Sequence, residues 1–270
     1  MLNTIMNYSP HQLLVFEKTK EKNRKIATKD LAIHELTHLE YPNHKTAVYI
    51  MSQVENPDYV VIYTYGGTVP HMFSLSETGE ITEECKLQFT WEWMKHWLSQ
   101  KVAIVIFDMP SYFAAGMFTT SFYRLSKDRM RESLALIDLV KSKFPKSKIA
   151  WHGLSYGTHE AAKISQVETA VEKVVLSSGP WHVLEDFDDH HQGARLDWYD
   201  ITTAKVPVLV VQHKLEKLEK ATEAMSKTDS ITVSNSVSSI DGHFFRGRQA
   251  SVVKSICDWL RGHPYPKELP

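Results

Sequence analysis

An α/β fold built on a mostly parallel sheet follows from the way short aliphatic runs alternate with helical stretches along this 270-residue chain. The runs are almost continuous in aliphatic residues, which suits strands covered on both faces. They fall at 60–63, ending in Gly66-Gly67; at 102–107, ending at Asp108 and Pro110; and at 148–151, ending at Gly153. Two more fall at 174–176, ending in Ser177-Ser178-Gly179-Pro180, and at 208–211, ending at Gln212-His213.

Between them the apolar period changes to that of a helix. Over 127–144, Met130, Leu134, Ile137, Val140 and Phe144 recur at helical spacing, with Ser126 as N-cap and Pro145 as stop. Residues 89–98 place Trp93 and Trp97 one turn apart, and 251–260 line up Val252, Val253, Ile256 and Leu260. The chain opens differently, since 33–41 and 46–52 read as two strands around a Pro42-Asn43 turn, an antiparallel start to the sheet. Residues 181–203 are rich in Asp, His and aromatics and have no clean period. They are expected to form a short lid inserted in a single domain spanning 1–270.

Composition narrows the partners. Hydrophobic residues at 43% and charged residues at 23% exclude a disordered chain. The net charge of −1 offers no basic field for a phosphate backbone, so nucleic acid is not expected as a partner. The two cysteines, Cys85 and Cys257, exclude a disulfide-stapled scaffold and point to a reducing compartment. Apolar runs such as 59–63 and 206–211 are far shorter than the ~20 residues that span a bilayer, and the N-terminus carries no cationic, apolar leader. A soluble, cytoplasmic protein is expected, with no membrane partner. Neither a G-x-G-x-x-G after a strand nor a G-x-x-x-x-G-K-[ST] occurs, so no nucleotide cradle is expected.

The chemistry is expected at Gly153-Leu154-Ser155-Tyr156-Gly157, a G-x-S-x-G between a predicted strand and a helix starting at Thr158. So sharp a strand-to-helix turn needs small residues two positions either side of the serine, and it sets the hydroxyl over free helix amides. A serine hydroxyl needs a base, and the base needs an orienting carboxylate. His243, in Asp241-Gly242-His243-Phe244-Phe245 before the last helix, is the expected base. Glu216, past the strand at 208–211, is the expected acid, with Glu219 and the lid acids Asp186, Asp188 and Asp189 as fallbacks. The oxyanion is expected to meet the amides of Tyr156 and Gly67, with Thr68 as the alternative to Gly67. Tyr112, Phe113 and Trp181 follow strand ends and are expected to contact substrate.

These motifs, in this order and over roughly residues 46–260, resemble the α/β-hydrolase superfamily, in particular its esterase-like bacterial serine hydrolases. The resemblance implies an α/β-hydrolase fold with an eight-stranded, mostly parallel sheet, helices on both faces, and esterase-like or other acyl-transfer chemistry without a cofactor. Two positions depart from the pattern: Tyr65 stands where a His often precedes the glycine, and Glu216 where Asp is usual. The expected substrate is a small-molecule ester or thioester, cleaved through an acyl-enzyme.

Two other readings compete. The same fold can serve as a catalytically silent binding protein, a reading the missing Asp motivates. His34-Glu35-Leu36-Thr37-His38 is also a full H-E-x-x-H, with His44 ten residues after His34, as in a zinc metallopeptidase. Tyr41 in place of glycine, Pro42 after it and the strand-like surroundings count against zinc, because on a strand His34, Leu36 and His38 simply share one face and the i, i+4 geometry of a zincin site exists only on a helix. No metal is therefore expected.

Overall fold

The computed structural model describes residues 24–28, 31–41, 44–66, 72–75, 81–85, 88–110, 123–124, 126–179, 203–214, 225–234 and 242–270. Twelve strands and four helices are described. The strands are β1 (Arg24–Thr28), β2 (Leu31–Tyr41), β3 (His44–Met51), β4 (Tyr59–Thr64), β5 (Phe73–Leu75), β6 (Ile81–Cys85), β7 (Ala103–Phe107), β8 (Lys148–Leu154), β9 (Lys173–Ser177), β10 (Val208–His213), β11 (Asp229–Val233) and β12 (Glu268–Leu269). The helices are α1 (Gln88–Ser99), α2 (Lys127–Lys143), α3 (Gly157–Val167) and α4 (Gln249–Arg261).

Ten strands form one sheet in the order β1-β2-β3-β7-β4-β8-β9-β10-β11-β12, while β5 and β6 pair separately. From β1 to β7 neighbours run antiparallel, and from β7 to β12 they run parallel. The sheet is wider than the expected eight strands. Its extra members are the edges β1 and β12, whose short segments, Arg-Lys-Ile-Ala-Thr and Glu-Leu, carry little aliphatic signal.

Strand residues alternate between two cores, which is why the runs read as continuous. Along β4, Val60 and Ile62 pack on one side with Leu136, Val140 and Ile164, and Val61 and Tyr63 pack on the other with Trp93, Trp97 and Ile256. Thus α2 and α3 cover one face and α1 and α4 the other. Each fully buried aliphatic side chain contributes about 1.5–3 kcal/mol. Trp93 and Trp97 are core residues, both 0% exposed.

α2 begins where expected, with the Ser126 hydroxyl accepting from the Arg129 amide at 3.0 Å. Four of the five expected positions face inward: Ile137 and Val140 are buried, and Met130 and Phe144 pack against the core. Leu134 is exposed, and Arg129, Glu132 and Ser133 are buried in the first turns instead. The apolar period does not mark these three because that end of α2 meets a buried polar network beside the hydrocarbon core.

His34-Glu35-x-x-His38 lies on β2, so the helical i, i+4 arrangement of a zincin site does not form. Glu35, the would-be base, is paired with Lys143 at 2.7 Å. No helix among the described residues is long and apolar enough to cross a membrane. Of the lid expected at 181–203, only Thr203 falls within the described residues.

Candidate active site

The chain leaves β4 toward β7 on one side and returns to β8 on the other. The crevice beyond the carboxyl ends of the adjacent strands β4 and β8 is therefore the topological switch point, where open α/β sheets bind ligands. Ser155 follows β8 directly, and Tyr65-Gly66 follows β4 in matching register, since Thr64 pairs with Gly153.

Ser155 adopts φ 52°, the left-handed conformation that a non-glycine residue rarely takes. Its amide donates to the Ser177 carbonyl at the end of β9 (2.9 Å), and its carbonyl accepts from the Thr158 amide in the first turn of α3 (2.9 Å). Sheet and helix thus grip the turn from both sides. The flanking glycines are sterically required: a Cβ on Gly153 would stand 2.4 Å from the Gly157 carbonyl oxygen, and one on Gly157 would stand 2.0 Å from that of Thr64. The strand–turn–helix context expected of G-x-S-x-G is formed.

The Ser155 hydroxyl lies 2.9 Å from Nε2 of His243. His243 arrives from 88 residues further along the chain, in the loop before α4. That loop is seated by Gly242, which backs onto the His213 ring at the end of β10, and by Phe245, buried against Trp93 with ring centroids 5.8 Å apart. Tyr156 is the N-cap of α3, so its amide is one of the donors that the helix ladder leaves unused. On the opposite side Gly66 touches the serine so closely that a Cβ there would come within 2.9 Å of its Oγ.

The structure therefore brings Ser155, His243 and Tyr156 together beside Gly66. Glu216, Gly67, Tyr112, Phe113 and Trp181, together with Glu219, Thr68 and the lid acids Asp186, Asp188 and Asp189, lie outside the described residues. The described chain stops two residues short of Glu216 in sequence, at Lys214, just after His213, which ends β10 and contacts Gly242.

Sequence reasoning missed the polar groups behind the crevice. Asp108, 1% exposed, accepts from Tyr49 Oη (2.7 Å), Tyr65 Oη (3.0 Å) and the Met72 amide (2.8 Å). Burial pushes its pKa up to about 7, against the lowering effect of those hydrogen bonds and of Arg129. Arg129 and Glu160 are likewise buried and paired, Nε to Oε2 at 3.2 Å. Burial holds His152 and His159 neutral, each with a pKa lowered to about 3, with the Arg124 charge adding to the effect at His159. The available signal was in α2, where Arg129, Glu132 and Ser133 share one helical face.

A doubly wound sheet with a strained serine at its switch point and a histidine delivered from before the last helix defines an α/β-hydrolase fold. Solved structures match it. A cold-adapted esterase from an Arctic intertidal metagenomic library superimposes with a TM-score of 0.59 at 14% identity, over 87% of this chain and 99% of that one. Est1E from Butyrivibrio proteoclasticus gives 0.59 at 16% identity, over 84% and 98%. A lidless α/β serine hydrolase from Xanthomonas campestris gives 0.55 at 12%, over 93% and 99%. No protein-family model matches the chain, and no curated protein matches it in sequence, so the likeness is one of fold.

Proposed function

We propose that this protein is a serine hydrolase that cleaves a carboxylic ester or thioester of a small molecule through an acyl-enzyme. The contact between Ser155 Oγ and His243 Nε2 carries the reading, because it joins a nucleophile to a base across 88 residues of chain.

In this reading Ser155 attacks the substrate carbonyl while Nε2 of His243 takes its proton. The carbonyl oxygen becomes an oxyanion between the amides of Tyr156 and Gly67. The tetrahedral adduct collapses, His243 returns the proton to the departing alcohol or thiol, and the acyl group stays on Ser155. Water, deprotonated by His243, then attacks the acyl-enzyme; the second adduct collapses, its bond to Ser155 Oγ breaks as His243 returns the proton to that oxygen, and the acid is released. Glu216 holds the imidazole and stabilises its cationic form. The position of β10, whose end lies against Gly242, favours an acid from the segment that follows it. Tyr112, Phe113 and Trp181 contact the substrate, and no cofactor takes part. The two cysteines and the charge balance fit work in the cytoplasm.

Steady-state hydrolysis of p-nitrophenyl acetate and butyrate, and of a short acyl thioester, tests the reading. Turnover abolished by Ser155→Ala is expected. Turnover unaffected by that substitution would overturn it.

A further inference from the structure

We infer that Asp108 is a positioning residue for this site, holding the Tyr65-Gly66 backbone against Ser155. The inference rests on the hydrolase reading above, and its starting point is a closed ring of buried contacts. The Tyr65 hydroxyl donates to Asp108 Oδ1 (3.0 Å), and the Asp108 carbonyl accepts from Arg129 Nη1 (2.7 Å). Arg129 Nε donates to Glu160 (3.2 Å), and Glu160 pairs with Arg124 at 3.6 Å. The Arg124 guanidinium closes the ring by lying 5.3 Å from the centroid of the Tyr65 ring. All five residues are at most 1% exposed.

The ring joins the two halves of the site. Tyr65 precedes Gly66, the residue in contact with Ser155, while Glu160 lies in the first turns of α3, the helix that follows Ser155. Asp108 Oδ1 also accepts from the Met72 amide at 2.8 Å. One carboxylate oxygen therefore anchors Tyr65 and Met72, which flank the segment with the expected donor Gly67. The other oxygen accepts from Tyr49 at 2.7 Å, and the Asp108 amide donates to Ala47 at 3.0 Å, so Asp108 is itself fixed to β3.

Stability alone does not account for such a network, because well-packed apolar residues hold a core as well as buried ion pairs do. A set distance does account for it. Gly66 leaves no slack above Ser155, and displacements of about 1 Å at a reacting centre cost roughly 100-fold in rate. Asp108 does not touch the reacting atoms. It acts through Tyr65 and the backbone that Tyr65 carries.

The test uses the full chain with Asp108→Ala, Asp108→Asn and Tyr65→Phe. It reads kcat and KM on p-nitrophenyl butyrate, inhibition by a trifluoromethyl ketone that mimics the tetrahedral adduct, and Tm. Asp108→Ala is expected to lower kcat about 100-fold with KM within about threefold, and to weaken the ketone in parallel. Asp108→Asn keeps an acceptor for Tyr65 and Met72 and is expected to recover kcat to within about fivefold of the parent. Tyr65→Phe, which removes a single hydroxyl, is expected to cost about tenfold in kcat and carries the test if Asp108→Ala does not fold. A folded Asp108→Ala, or else Tyr65→Phe, with unchanged kcat and ketone affinity but lower Tm would overturn the inference while leaving the hydrolase reading intact. A parent protein that neither turns over ester nor binds the ketone would overturn both.

Discussion

Gly242 is packed so tightly on His213 that a Cβ added to it would stand 2.5 Å from Nδ1 and 2.6 Å from Cγ of the imidazole. This contact docks the loop before α4 onto the end of β10 and delivers His243 to Ser155. The side chain of His213 is buried, at 2% exposure, and has little room to swing aside.

Gly242→Ala should therefore move His243 while leaving the chain folded. The expected loss in kcat is about 10- to 100-fold, with about 1–3 kcal/mol of stability. Adding His213→Ala should restore much of the rate by making room. Ester hydrolysis by the single and double variants checks this, and a single variant with parental kcat would contradict it.

Gly157→Ala tests the elbow itself. The new Cβ would lie 2.0 Å from the Thr64 carbonyl oxygen, a backbone atom on a central strand that cannot move alone. Urea unfolding should show a loss above about 2 kcal/mol. A loss below half of that would mean that helix and strand are less closely set than the structure has them.

Arg129→Met removes the guanidinium that meets the buried carboxylates of Glu132 and Glu160 at 3.0 and 3.1 Å, so Glu132 loses that cation while Glu160 keeps Arg124 at 3.6 Å. Removing one partner of such a cluster costs about 3–5 kcal/mol. Arg129→Met/Glu132→Gln, which leaves Glu160 charged opposite Arg124, should recover a large part of that loss in denaturant titrations. A double variant no more stable than the single one would show that charge is not what the cluster balances.

His152 should make the protein sensitive to acid. Its ring donates to or accepts from the Ser177 hydroxyl at 2.8 Å and packs among Tyr63, Trp93 and Trp97. Burial lowers its pKa from 6.5 to about 3. The unfolded chain thus binds a proton below pH 6.5 that the native chain refuses, and stability falls as pH drops from 6.5 toward 3. At pH 5 this costs about 2 kcal/mol. Asp108 works in the opposite sense, because its raised pKa favours the fold below about pH 4 and that contribution fades as pH rises through about 7. His152→Phe should therefore show a smaller deficit against the parent at pH 5 than at pH 8. Equal deficits at both pH values would mean that His152 is protonated in the fold.

Much of this was legible in the chain because the sheet is buried on both faces, so β4, β7, β8, β9 and β10 each announce themselves as aliphatic runs. The elbow was legible for a steric reason, since Gly153 and Gly157 have no room for a side chain. The network around Asp108 was not, because its contacts join β3, β4, β7, α2 and α3 across long sequence separations and leave no periodic trace. Leu134 shows the same limit: helical spacing identified α2 and most of its inward face, but not that Leu134 is exposed while Arg129, Glu132 and Ser133 are buried. The H-E-x-x-H misleads for the converse reason, as a motif whose chemistry needs a helix is here part of a long strand.

An activated Ser155 should react with a fluorophosphonate, and mass spectrometry of the digested protein locates the adduct. One adduct is expected, on Ser155, formed at least about 100-fold more slowly in His243→Ala. A folded protein left unlabelled, or labelled elsewhere at the same rate with and without His243, would contradict it.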